Sequence, residues 1–191
     1  YTFEKARNVV MEMADAISLD LVEKRLVTNQ LVLTVSYDRE SLTRPEIASK
    51  YHGEVVLDHY GRPVPKHAHG TANLGSHSSS SKEIINAVIS LYDRIVNRDL
   101  LIRRLNISTN HIIAEGNRQE AADNGPAQLD LFTDYDAILK EKESKKKERR
   151  IQEALIKIKK RFGKNAILKG TSYAEGATAR ERNKQIGGHK A

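Results

Sequence analysis

The sequence predicts an α+β domain: a largely antiparallel sheet with two helices on one face, followed by a linker, a basic helix and a tail. Three observations carry that prediction. Two segments repeat apolar side chains at steps of three and four, two others alternate apolar and polar residues, and large apolar residues become sparse beyond residue 115.

The first helix is read over residues 3–25, where Phe3, Ala6, Val10, Met13, Ile17 and Leu21 share one face. A strand follows over 30–37. Leu31, Leu33, Val35 and Tyr37 alternate there with Val32, Thr34 and Ser36, giving one apolar and one mostly polar side. Residues 39–52, with Pro45, read as an irregular loop. Residues 54–58 and 68–74 read as two arms of a hairpin around Tyr60 to Lys66. The serines from Ser78 to Ser81 open a second helix, since Ser80 and Glu83 have the spacing of a capping box. Ile84, Ile85, Val88, Leu91 and Ile95 form its apolar stripe. A last strand is expected over 101–113, with Leu101, Leu105 and Ile107 on one face and Arg104, Asn106 and Ser108 on the other. The sheet face turned away from both helices would then carry Thr34, Ser36, Asn73, Arg104, Asn106 and Ser108. Such a face is polar and open.

Residues 1–115 are therefore one domain, 116–135 a linker, 136–169 a basic helical segment and 170–191 a flexible tail. The basic helix, expected over about 136–162, has a narrow apolar stripe of Ile151, Leu155, Ile158 and Phe162. Within the linker, Gln128, Leu129, Asp130, Leu131 and Phe132 form an apolar island in hydrophilic surroundings. Exposed leucine and phenylalanine of this kind read as a short motif that anchors in a partner's pocket.

Composition narrows the function. Of 191 residues, 39% are apolar and 30% charged, with a formal net charge of +7. A basic excess of that size points first to nucleic acid. No cysteine is present, which excludes disulfides, thiol catalysis and cysteine zinc sites and fits a reducing compartment. No apolar run approaches a membrane span and no signal peptide is visible, so the expected compartment is the cytoplasm and no membrane partner is expected. The start at Tyr1, directly in an amphipathic pattern, reads as a piece cut from a longer chain.

A catalytic constellation is not found. Asp15 and Asp20 are five apart on the first helix and do not share a face well enough to hold divalent ions for phosphoryl transfer. His67 and His69 would lie on one side of a strand, but spacing fixes no third ligand, and contact with backbone or phosphate is the simpler reading. Nucleic-acid contacts are expected at Ser78, Ser79, Ser80 and Lys82, where a helix N-terminus attracts phosphate, and at Arg103 and Arg104, of which at least one must leave the core. No interleaved aromatics mark a base-stacking sheet, so backbone-directed, sequence-independent binding is the better expectation. For the lysines and arginines of the basic helix, attraction to DNA and pairing with acids of the same chain both remain open.

Several of these segments resemble a known family. Gln128 to Phe132 resembles the bacterial sliding-clamp-binding pentapeptide. Asp58 to Lys66, then His69 to Leu74, and the ending Arg182 to Ala191 resemble the C-terminal region of bacterial Y-family translesion polymerases of the UmuC/ImpB/MucB/SamB type. The resemblance covers essentially the whole chain and suggests that Ala191 is at or near the natural end. It implies a little-finger domain, a βαββαβ unit whose sheet lies on template–primer duplex DNA, with the first strand missing here and one sheet edge left exposed. It also implies recruitment by the sliding clamp through Gln128, Leu129, Asp130, Leu131 and Phe132, and a role in translesion repair and the SOS response beside the palm, fingers and thumb of the parent chain. The palm's catalytic Asp-Glu pair does not occur, so the chain carries no catalytic residues and no cofactor of its own; the parent would be a magnesium-dependent DNA polymerase. The competing expectations are a freestanding clamp- and DNA-binding regulator without a polymerase core, and an interaction module whose basic helix binds acidic protein.

Overall fold

The computed structural model describes residues 1–117, 135–186 and 189–190. Helix α1 (Phe3–Glu23) leads through Arg25, which takes a left-handed conformation with φ of 54°, straight into strand β1 (Leu26–Tyr37). Two single-turn helices, α2 (Glu40–Thr43) and α3 (Pro45–Ala48), occupy the stretch expected to be irregular. Strands β2 (Val55–Leu57) and β3 (Pro63–Pro65), then β4 (Ala68–Ser78), α4 (Ser81–Ile95), β5 (Ile102–Asn110) and the short β6 (Ile113–Ala114) complete the sheet domain. The basic helix is α5 (Tyr135–Phe162), and a further turn, α6 (Ala179–Arg182), lies in the tail.

The sheet runs β4-β1-β5, antiparallel throughout, and β6 pairs with the start of β1. Strand β1 is central because it alternates strictly: Leu31, Leu33, Val35 and Tyr37 are buried beneath α1 and α4, together with Val10, Ile84, Val88, Leu91 and Tyr92. The inward residues of β4 are small. At Gly70 an added Cβ would stand 3.0 Å from Leu91 and 3.2 Å from Ile95, so the bare glycine lets α4 lie directly on the strand. Across the two helices Tyr92 donates its hydroxyl hydrogen to the Phe3 carbonyl at 2.8 Å, and Arg7 grips Asp93 through two bonds of 2.9 and 3.0 Å. Tyr1 and Ile102 exchange both backbone hydrogen bonds, 2.9 and 2.7 Å, as in an antiparallel pair, so Tyr1 lies along the outer edge of β5.

Several expectations need correction. The segments 54–58 and 68–74 are not arms of one hairpin: β2 pairs with β3, inside the stretch expected to be the turn, while β4 pairs with β1. On β5 the buried residue is Ile102 rather than Leu101. The pairing shifts between Ser36 and Tyr37, so Arg103 is an extra residue and both Arg103 and Arg104 are exposed. Met13 and Ile17 are only half-buried, whereas Glu12 and Ser18 of the same helix are buried.

The reason is a second layer over α1. Helix α5 packs on it through Gln152, 4% exposed, whose amide nitrogen donates to Ser18 Oγ, the Ser79 carbonyl and Ser81 Oγ at 2.8–3.1 Å. Of the narrow apolar stripe expected on this helix, Leu155 and Ile158 are half-buried and Ile151 and Phe162 are exposed. The tail, expected to be flexible, lies against α1 over its described part. Glu12 Oε2 accepts from the amides of Thr178 and Ala179, each at 2.9 Å, and from the Arg182 guanidinium at 3.2 Å. Among the described residues no helix is long and apolar enough to cross a membrane.

Candidate nucleic-acid interface

The face of the sheet opposite α1 and α4 is a ladder of polar side chains in register. Gln30 stands between Asn73 and Asn110, Val32 between Thr71 and Ser108, and Thr34 between His69 and Asn106, with Ser36 beside Arg104 at the end. The rungs are tied laterally: Gln30 donates to Asn73 at 3.0 Å and accepts from Asn110 at 3.0 Å, and Thr34 Oγ1 lies 2.9 Å from His69 Nδ1. Thr34, Ser36, Asn73, Arg104, Asn106 and Ser108, expected from alternation alone, therefore do share one surface. Gln30, His69, Thr71 and Asn110 belong to it as well. Their signal was present, because polar residues occupy every odd position from His69 to Asn73, but the small inward residues of β4 gave that alternation little contrast.

One end of this face is more cationic. Arg103 sits on the β5 bulge and approaches Asp38 at 3.5 Å, and Arg104 is exposed with no ion pair among the described residues. The β2–β3 hairpin flanks the same end. Its turn is built on Asp58, which accepts from the amides of Tyr60 and Arg62 and from the Arg62 guanidinium, so that its carboxyl is held well below the usual range, at about 2, chiefly by the Arg62 side chain.

The family model described as the impB/mucB/samB family C-terminal domain matches residues 1–122. The chain belongs to that family. This makes it a UmuC-like C-terminal region of the Y-family polymerases, and its field is DNA repair. A search of the curated proteins finds no significant match.

The impB/mucB/samB domain match spans the whole sheet and both of its helices, but not α5 or the tail. Against those later segments the serines take on another role. Ser78 and Ser79 are buried on the helix side, and Ser80 caps α4 by accepting from the Glu83 amide at 3.2 Å. The anion at this helix N-terminus is a carboxylate of the same chain: Glu148 of α5 accepts from Ser80 Oγ at 2.7 Å and from the Lys82 amide at 2.9 Å. Ser78, Ser79, Ser80 and Lys82, expected as phosphate contacts at a helix N-terminus, thus lie on the helix side beside α5 and apart from the ladder of the open face, with the Lys82 side chain exposed. For α5 the open alternative of pairing within the chain is realised in part, by Lys145 with Glu83, Arg149 with Glu115 and Lys160 with Glu23.

His67 and His69 approach edge to face with ring centroids 6.5 Å apart. Among the described residues no three His, Asp or Glu side chains converge as a metal site would require. The pentapeptide Gln128 to Phe132 lies outside the described residues.

Proposed function

We propose that this impB/mucB/samB domain grips template–primer duplex DNA through the open face of its sheet and is brought to the replication machinery by a sliding clamp that takes Gln128, Leu129, Asp130, Leu131 and Phe132. The polar ladder carries the first half. A sheet face that turns Gln30, Thr34, Asn73, Asn106, Ser108 and Asn110 outward has no use in the domain's own core, and neutral donors and acceptors beside Arg104 suit sugar and phosphate oxygens rather than base edges. Together with the net charge of +7, this predicts sequence-independent binding that weakens steeply with salt. The second half is carried by the pentapeptide itself, whose apolar anchors are the pattern of a linear docking motif. The grip and the docking serve translesion synthesis in the cytoplasm, while catalysis and its magnesium belong to the palm of a parent chain.

One titration series tests both halves. The chain, wild type and Leu131→Ala/Phe132→Ala, is measured against duplex DNA at several salt concentrations and against purified bacterial clamp. The expected result is loss of clamp binding in the double variant, with DNA affinity and its salt slope unchanged. Binding of DNA that ignores salt would remove the backbone grip, and clamp binding that survives the double substitution would remove the pentapeptide.

A further inference from the structure

The β2–β3 hairpin is the least self-sufficient part of the domain. Tyr60 is 76% exposed and Leu57 71%, on an element that among the described residues packs chiefly on α2 and β1. Exposed aromatic and aliphatic side chains concentrated on one short hairpin indicate something that covers them. The hairpin does not move freely under them. Asp58 fastens its turn by bonds to the Tyr60 amide at 2.8 Å, the Arg62 amide at 3.0 Å and the Arg62 guanidinium at 2.7 and 2.9 Å. Gly61, with φ of 72°, supplies the left-handed step. The Arg62 guanidinium then lies 4.8 Å from the centre of the Tyr60 ring and holds that ring in place.

Between this hairpin and the sheet is a cleft of about 350 Å³. Ser36, Tyr60, Arg62, His67, Arg103 and Arg104 line it, and Ser36 and Arg104 are also the last rung of the open face. Two of the cations are already matched, Arg62 by Asp58 and Arg103 by Asp38, while Arg104 has no ion pair among the described residues. An aromatic face, a guanidinium without a carboxylate and a hydroxyl at one cleft are complementary to a base and its phosphate. A paired base hides its π face within the stack, so only an unpaired nucleotide offers it.

We propose that the cleft under the β2–β3 hairpin receives an unpaired nucleotide of the DNA strand that leaves the duplex at this end of the sheet, its base against Tyr60 and its phosphate at Arg104. The inference rests on the duplex grip proposed above and adds a preference for a junction between double- and single-stranded DNA.

The test uses the full chain with a blunt duplex and the same duplex carrying a single-stranded overhang that contains a fluorescent adenine analogue. Wild type is expected to prefer the overhang and to quench the analogue. Tyr60→Ala should lose roughly tenfold in affinity for the overhang DNA and abolish the quenching, with blunt-duplex affinity unchanged, and Tyr60→Phe should restore both. Equal affinity of wild type for both DNAs would overturn the cleft assignment alone and leave the duplex grip standing. An equal loss on both DNAs in Tyr60→Ala would also overturn it, since Tyr60 would then be a general duplex contact. Failure of wild type to bind the blunt duplex at all would overturn the grip, and this assignment with it.

Discussion

Single side chains fix this domain at points that carry charge. Arg7 and Asp93 join α1 to α4, and the guanidinium lowers the Asp93 carboxyl from its ordinary value of 3.8. A carboxyl that is more acidic when folded stabilises the fold above its unfolded pKa, and the contribution disappears as pH falls through the folded one. Both side chains are about a third exposed, so the pair is screened. Asp93→Asn is thus expected to cost about 1 kcal/mol at neutral pH. The gap to wild type in denaturant melts should close on acidification below about pH 4 and stay constant from pH 6 to pH 8. None of this was legible from the sequence, where Arg7 and Asp93 are ordinary helix-surface charges 86 positions apart. The outward residues of β1 and β5 were legible, because strict alternation assigns Thr34, Ser36, Asn106 and Ser108 to one side whatever their neighbours are. Arg103 escaped that rule because a bulge adds one residue and resets the parity.

Among the elements, α5 is the one whose packing contradicts its apparent amphipathicity. Its stripe of Ile151, Leu155, Ile158 and Phe162 suggests an apolar seam, yet the helix docks by Gln152 into the serine cluster and by Glu148 onto the N-terminus of α4. Replacing Gln152 by leucine removes three hydrogen bonds and leaves the Ser18 and Ser81 hydroxyls and the Ser79 carbonyl bonded only to one another. A loss of about 2 kcal/mol in the docking of α5 is expected, read as faster amide exchange over the described part of that helix with the sheet amides unchanged. Helices α1 and α4 and strand β1 were readable because each buries one regular apolar face. What β4 pairs with was not, since two antiparallel partners compete on pattern alone and only the β2–β3 turn, locked on Asp58, removes the false one.

At the scale of the molecule the two sides of the domain are chemically divided. Among the described residues the sheet's open face is left clear, while α5 and the tail both pack on the helix side through buried polar contacts, so that stability and the proposed DNA contact occupy different surfaces. Glu12, 7% exposed, is central to that side: it accepts the Thr178 and Ala179 amides and the Arg182 guanidinium. Glu12→Ala strands these donors and is expected to cost about 3 kcal/mol, with the tail cut first in limited proteolysis and duplex affinity preserved. An equal loss of DNA binding would mean that the two sides are coupled. The Glu12 contact also imposes an order in time. The carboxylate is synthesised with α1, and the nearest of its partners is 166 positions later. At 5–20 residues per second the helix must wait roughly ten to thirty seconds with an acid on a surface that is destined to be buried. Over that interval α1 can settle on the sheet but cannot finish its outer side, so a helix made early is among the last to be completed.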